Sequence, residues 1–477
     1  MRNLTMLTDL YQLTMMYGYY KNDMTDKAAV FDLFYRRPPG DSAYAIAAGL
    51  EQAIEMINNL HFEDADIAYL RSLKLFDEDF LEHLGRFEFT GEIYAVREGT
   101  PVFPYEPIVR VKAPIMQAQL IETAMLNLIN HQTLIATKAS RVVYAAEGGE
   151  VLEFGLRRAQ GPDAGVYGAR AAIIGGCSST SNVMTGEMFG IPAKGTHAHS
   201  WVMSFEREID AFRAYANIFP DSCLLLVDTY DTLKSGVPNA ITVFRELKAA
   251  GHQPVGIRLD SGDLAYLSKK ARSMLDKAGF TEAKIFASSD IDEWLIRDMK
   301  LQGAKVDVWG VGTKLITSDG CPALGGVYKL AAEISDGIMI PKIKVSDNVG
   351  KITNPGYKKT VRIYDKTTNK AIADLIMLDE ETIDESQPLT IFHPVDTWKR
   401  MQITNFYTKE LLVPVFIEGR QVYQNSGLME IQAYARAELA TLWDETKRLI
   451  NPQEYKVDLS QKLFDLKQSL LHQWSAQ

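Results

Sequence analysis

The sequence predicts an α/β fold, and three observations predict it. Between about residues 150 and 330, short β-branched runs alternate with longer helical stretches. Cys223–Val227, Pro254–Leu259, Lys284–Ala287 and Val306–Val311 begin about 22 to 31 residues apart, the length of one strand-helix unit with short loops. The segments between them carry single apolar stripes. Trp201, Phe205, Ile209, Phe212, Ala216 and Phe219 step by three or four, and so do Leu264, Leu267, Ala271, Met274 and Ala278.

In chain order, residues 1–130 predict an N-terminal α/β domain. It has helical periodicity over Tyr44–Leu60 and Asp64–Leu84, then a β-rich stretch over Phe87–Val111. Pro101, Pro104 and Pro107 in that stretch suit bends and edges, because proline has no N–H for a ladder. Residues 131–342 hold Val151–Phe154 and the four runs above, and predict the domain that carries the active site. Residues 343–477 predict a smaller C-terminal subdomain. Tyr357–Tyr364 and Lys370–Leu378 read as hairpin strands, and Gly427–Leu449 and Leu459–Leu471 as polar helices.

Composition sets the outer limits. A chain of 477 residues exceeds one ordinary core, and 46% hydrophobic residues exclude disorder. The net charge of -10, from 51 basic and 61 acidic residues, argues against nucleic-acid or anionic-membrane partners. A local arginine cluster can still reverse the field inside one cleft. Cys177, Cys223 and Cys321 are scattered and form no Cys-x-x-Cys pair, which points away from disulfides and thiolate zinc and toward a reducing cytoplasm. Met1–Tyr20, interrupted by Asp9 and Gln12, does not read as a signal peptide. No run approaches the roughly 18 apolar residues of a membrane span.

The chemistry sits where the strand runs end. Phe154 leads into Gly155-Leu156-Arg157-Arg158, Val227 into Asp228-Thr229-Tyr230-Asp231, and Arg258-Leu259 into Asp260-Ser261-Gly262-Asp263. Ala287 leads into Ser288-Ser289-Asp290, and Val308 into Trp309-Gly310-Val311-Gly312-Thr313. In a barrel of βα units those ends converge on one face, which houses the site. Arg157 and Arg158 offer guanidinium forks for phosphate. Gly310-x-Gly312-Thr313 can present backbone N–H groups where glycine allows close approach. Asp228, Asp260 and Asp263 suit ribose hydroxyls or Mg²⁺. Taken singly, each has a plainer reading: a surface ion pair, a turn, or a helix cap before Leu264. His197 and His199, in Gly195-Thr196-His197-Ala198-His199-Ser200, read as buried imidazoles or metal ligands, although nearby Asp and Glu spacing completes no zinc set.

Six segments in order carry a resemblance: Thr8–Met15, Phe34–Arg37, Glu153–Gly161, Gly195–Ser200, Leu259–Asp263 and Gly310–Thr313. Through them the chain resembles the nicotinate phosphoribosyltransferases, of the type II phosphoribosyltransferase family, over essentially its whole length. The resemblance implies an irregular, TIM-like αβ barrel and a homodimer with shared active sites. It also implies ATP-coupled synthesis of nicotinate mononucleotide and diphosphate from nicotinate and 5-phosphoribosyl 1-diphosphate, for NAD salvage. His199 would accept phosphate from ATP, and Phe154 and Tyr11 of the partner subunit would sandwich the pyridine. Arg157 and Arg258 would hold phosphate and diphosphate, and Asp228 and Asp260 would face ribose and Mg²⁺, with Asp263 a further Mg²⁺ ligand. Gly310, Gly312 and Thr313 would take the 5′-phosphate. Related nicotinamide enzymes place an aspartate where this chain has Gly176-Cys177-Ser178-Ser179. The neutral stretch, with Ser178 toward the substrate, favours nicotinate because an acid there would repel its carboxylate. The competing readings are a nicotinamide- or quinolinate-type phosphoribosyltransferase, and a barrel that binds nucleotides without turnover.

Overall fold

The computed structural model describes residues 3–475, which fold as two compact units. One spans Ile135–Pro322, and the other joins the chain up to Leu134 with the chain from Ala323 onward.

The middle unit is built on six parallel strands: β1 (Glu150–Glu153), β2 (Ser179–Thr180), β3 (Leu224–Leu226), β4 (Gly256–Leu259), β5 (Lys284–Ser289) and β6 (Val308–Val311). Their order is β2-β1-β6-β5-β4-β3. The first strand of the series therefore pairs with the last, from Glu150 opposite Val308 to Glu153 opposite Val311. Adjacent first and last strands are a barrel trait, and the six strands among the described residues make it an irregular one. Helices cover the sheet, so Val151, Leu152, Leu225, Ile257, Ile285 and Val308 are all buried, as continuous apolar runs in parallel sheets are.

Each strand expected here from the sequence is present within two residues of its predicted bounds. The stripe from Trp201 to Phe219, however, is two helices, His199–Met203 and Glu208–Ile218, rather than one. Arg207 between them is extended and Trp201 Nε1 donates to Ala211 O at 3.1 Å across the break, so an apolar stripe survives a bend in the chain.

In the other unit Ala28–Tyr35 is flanked antiparallel by Gly326–Ser335 and Val109–Pro114, and Leu412–Ile417 extends the same sheet beyond Glu92–Val96. Gly326–Ser335 lies inside the segment expected as the barrel, 131–342, yet its partner is the N-terminal strand. The N- and C-terminal parts, expected as separate domains, thus share one sheet. Pairing over such separations leaves no local mark in the sequence. The predicted hairpin is Lys358–Asp365 against Ala371–Leu378. Among the described residues no helix is long and apolar enough to cross a membrane.

Candidate active site

Phe154 leaves the C-terminal end of β1 with its N–H donating to Val311 O at 2.8 Å, which fastens it to β6. Its ring then lies over Gly310. A Cβ at that position would stand 2.7 Å from Phe154 Cδ2 and Cε2, so glycine is what lets the ring approach the strand. A Cβ on Gly312 would similarly press on Phe154 O at 3.1 Å.

A cleft of about 510 Å³ opens at these strand ends, a volume typical of small-molecule sites. Phe154, Arg157 and Arg158 follow β1, Ser181 follows β2, and Arg258 and Asp260 belong to the end of β4. Ser288–Asp290 come from β5, Gly310–Thr313 from β6, and the loop Gly195–Ala198 completes the wall. Four of the five polar strand ends picked out in the sequence thus converge on the cleft, while the Asp228–Asp231 end contributes no residue to its lining.

The cations of the cleft are only partly paired. Arg157 and Arg158 sit exposed on the turn Leu156–Arg158 and make no ion pair among the described residues, against the reading of a surface pair. Arg258 is largely buried, with Nη2 3.6 Å from Asp260 Oδ1 and a buried Nε that meets no acceptor. Burial pulls its pKa below the ordinary value; Asp260 and Asp228 oppose that and Arg157 adds to it. A desolvated guanidinium with donors unspent is poised for an anion.

The aspartates divide. Asp260 Oδ1 accepts from Ser288 Oγ, and its Oδ2 lies 3.7 Å from His199 Nε2. Asp228 Oδ2 accepts from Asp260 N at 2.9 Å and Ser261 Oγ at 2.6 Å, so this carboxylate braces the turn that carries Asp260. Its Oδ1 is buried without a partner. Asp263 caps the helix Leu264–Lys277, accepting from Tyr266 N at 2.9 Å, as the plainer reading had it. No group of three His, Cys, Asp or Glu residues able to hold a metal exists among the described residues.

The structure separates the two histidines. His197 is buried, and its Nε2 accepts from Leu226 N at 3.3 Å while its ring meets Tyr215 edge-on at 4.8 Å. Burial holds its pKa down to about 4. His199 stands partly exposed at the start of its helix, with Nδ1 3.1 Å from Thr229 Oγ1 and Nε2 turned to Asp260. Of the two, His197 lines the cleft, while His199 lies next to the lining residue Ala198 and faces Asp260, which does line it.

Two further expected residues are not among those lining the cleft. Ser178 donates to Glu150 Oε1 at 2.8 Å, at the opposite end of the strand from the cleft, and Ser181, just past the C-terminal end of that strand, lines the wall. Tyr11 is half-exposed on the helix Leu10–Lys21, in the other unit. Thr196, Ser288 and Ser289 were not singled out, although their polar runs were visible. Ser289 has φ of 148°, a conformation that side chains rarely adopt and that strained functional loops retain.

Models of the nicotinate phosphoribosyltransferase N-terminal domain, family and C-terminal domain match residues 6–130, 150–320 and 357–467. The chain is 50% identical over 471 residues to nicotinate phosphoribosyltransferase of Bacillus subtilis (strain 168), covering 99% of this chain and 96% of that one. It is 33% identical over 523 residues to the Homo sapiens protein of that name, covering 98% and 96%. The crystal structure of human nicotinic acid phosphoribosyltransferase superposes with a TM-score of 0.84, at 31% identity, over 97% of this chain and 99% of that one.

Proposed function

Because the chain belongs to the nicotinate phosphoribosyltransferase family, we propose that it transfers the phosphoribosyl group of 5-phosphoribosyl 1-diphosphate to nicotinate, with ATP consumed through a phosphohistidine at His199. The observation that carries the transfer is the meeting of Phe154, Arg258 and the Gly310–Thr313 turn around one cleft. The Phe154 ring offers an apolar face for the pyridine. The pyridine nitrogen attacks C1 of the donor as the C1–O bond to diphosphate breaks, so negative charge grows on the leaving group. Arg258 and Arg157, with unspent donors, neutralise that charge in a site partly closed to water. Mg²⁺, when bound with the diphosphate at Asp260, supplies further neutralisation; Asp263, its oxygen engaged as a cap, is the weaker ligand.

In the coupling step His199 Nε2 attacks the ATP γ-phosphorus, the P–Nε2 bond forms and ADP leaves. Thr229 on Nδ1 fixes the ring for that attack, and Asp260 faces the reacting nitrogen. Water later cleaves the P–N bond and returns the free imidazole. The assembly proposed is a homodimer in which Tyr11 of the partner subunit covers the second pyridine face. Free cysteines, two of them buried, support a reducing, cytoplasmic setting.

The test is formation of nicotinate mononucleotide with and without Mg-ATP, for the native chain and His199→Ala, with nicotinamide and quinolinate assayed in parallel. We expect nicotinate to be preferred, ATP to raise turnover, and an acid-labile label from γ-phosphate-labelled ATP that His199→Ala removes. Undiminished labelling of that variant would reject the phosphohistidine; faster turnover of nicotinamide would reject the substrate.

A further inference from the structure

The buried carboxyl of Glu153 performs a task that the reaction outlined above leaves unassigned. It is fully buried at the last position of β1, directly before Phe154, and no lysine or arginine pairs with it among the described residues. Its Oε1 accepts from Gly155 N–H, and its Oε2 accepts from Thr180 Oγ1 at 2.5 Å. The same threonine accepts Asn182 N on Oγ1 at 3.0 Å, and its carbonyl accepts Lys194 N at 2.9 Å. Lys194 begins the loop that runs along the cleft to His199. One side chain thus ties the turn after Phe154 to β2, and β2 ties on the loop that bears the histidines.

Burial raises the pKa of Glu153, while Thr180 and Gly155 pull the other way. A carboxyl without a cation is a costly way to fill a core position, and leucine or methionine would pack there at less cost. What an apolar side chain lacks is a pair of acceptors at fixed separation.

We infer that Glu153 is the positioning residue of the pyridine platform, holding the Phe154–Gly155 turn against Thr180 so that the ring keeps its place over Gly310. This rests on the reading of Phe154 as the pyridine-stacking residue. The prediction is selective. Loosening the turn weakens capture of the aromatic substrate, whereas the phosphates, held by Arg258 and the Gly310–Thr313 turn, are bound as before.

The experiment compares Glu153→Gln, Glu153→Met and Thr180→Val in the full-length enzyme. Steady-state KM is measured for nicotinate and for 5-phosphoribosyl 1-diphosphate, and hydrogen exchange is followed at the Gly155 amide. Glu153→Met keeps the volume and loses both acceptors; it should raise the KM for nicotinate about tenfold and that for the diphosphate donor less than about twofold. Glu153→Gln keeps an acceptor for the Gly155 N–H, and its amide N–H can donate to Thr180 Oγ1 in place of the bond that now runs the other way, so it should stay within about threefold of the native enzyme for both. Thr180→Val should shift the nicotinate KM in the same direction by a smaller factor, and it carries the test if Glu153→Met does not fold. Parallel rises in both KM values, or a Glu153→Gln variant as impaired as Glu153→Met, would overturn the assignment. Exchange at Gly155 should quicken in Glu153→Met and not in Glu153→Gln; unchanged exchange in both overturns it regardless of substrate. A native enzyme inactive with nicotinate would instead defeat the functional reading while leaving that exchange result to stand.

Discussion

Arg362, in the unit that joins the two ends of the chain, and Arg258, in the strand-end cleft, are both withdrawn from water, yet burial leaves them in opposite conditions. Arg362 is fully buried and grips Asp374 through Nε at 2.8 Å and Nη2 at 2.6 Å, with Pro101 O at 2.7 Å. Tyr455 Oη donates to the same carboxylate at 2.9 Å. Burial would lower the pKa of Arg362, but Asp374 outweighs it and the pKa is raised. At Arg258 burial wins and the pKa falls, because the nearest carboxylate stands off at 3.6 Å and Nε meets nothing. The lesson concerns how to read a buried cation. One that is enclosed by its counter-ion is part of the scaffold, and one that is desolvated without such closure is waiting for a ligand.

The comparison breaks first at Arg258. Arg258→Met should lower kcat/KM by about a thousandfold, the scale on which a donor to developing charge acts. The same change removes a poorly paired charge, so the melting temperature should hold or rise slightly. Initial rates and thermal unfolding on one preparation decide it; a large fall in melting temperature would make Arg258 a scaffold residue like Arg362.

Arg362→Met should do the reverse. It strands Asp374 in a dry interior and should cost about 3–5 kcal/mol of stability by denaturant titration, while the folded fraction turns over normally. Replacing Asp374 with leucine as well removes the stranded charge and should restore much of that loss. Failure of the double variant to recover would show that Arg362 is held by more than its counter-ion.

How much of this was legible beforehand follows from the same distinction. The strand ends of the middle unit announced themselves because arginine, aspartate and glycine there serve no packing purpose, and their recurrence at successive runs gave the cleft. Gly310 was legible as glycine for a phosphate, whereas the structure gives it a second reason in the ring of Phe154. That Ser181 and not Ser178 lines the cleft was not legible, because residue type alone does not reveal which end of a short strand faces the site. Asp228 read as a ligand, and the structure adds that one of its oxygens braces a turn, a role that depends on which N–H lies 2.9 Å away. The buried pairs of the other unit were not legible at all. Arg362, Asp374 and Pro101 meet through a fold whose strands are contributed by distant parts of the chain, and periodicity carries no information about such pairing.

The two histidines set the same contrast two residues apart, and they give the smallest of the expected effects. His197 is a scaffold group: its neutral ring accepts the Leu226 N–H on Nε2, the nitrogen that a second proton would need, and its Nδ1 is buried with no hydrogen-bond partner. Its pKa is about 4 in the folded protein against an ordinary 6.5, so as pH falls the unfolded chain takes up the proton first. The stabilisation is therefore complete above pH 6.5 and is lost as pH falls toward 4, amounting to about 3 kcal/mol across that window. Stability measured from pH 7 to pH 4 should decline less steeply in His197→Leu than in the native chain, and His199→Ala should decline as the native chain does. His197→Leu should still take the phosphoryl label at neutral pH, since the accessible nitrogen belongs to His199. If the decline is instead relieved by His199→Ala, the partly exposed histidine is the one whose neutrality the fold depends on, and the division between scaffold and reactive imidazole is reversed.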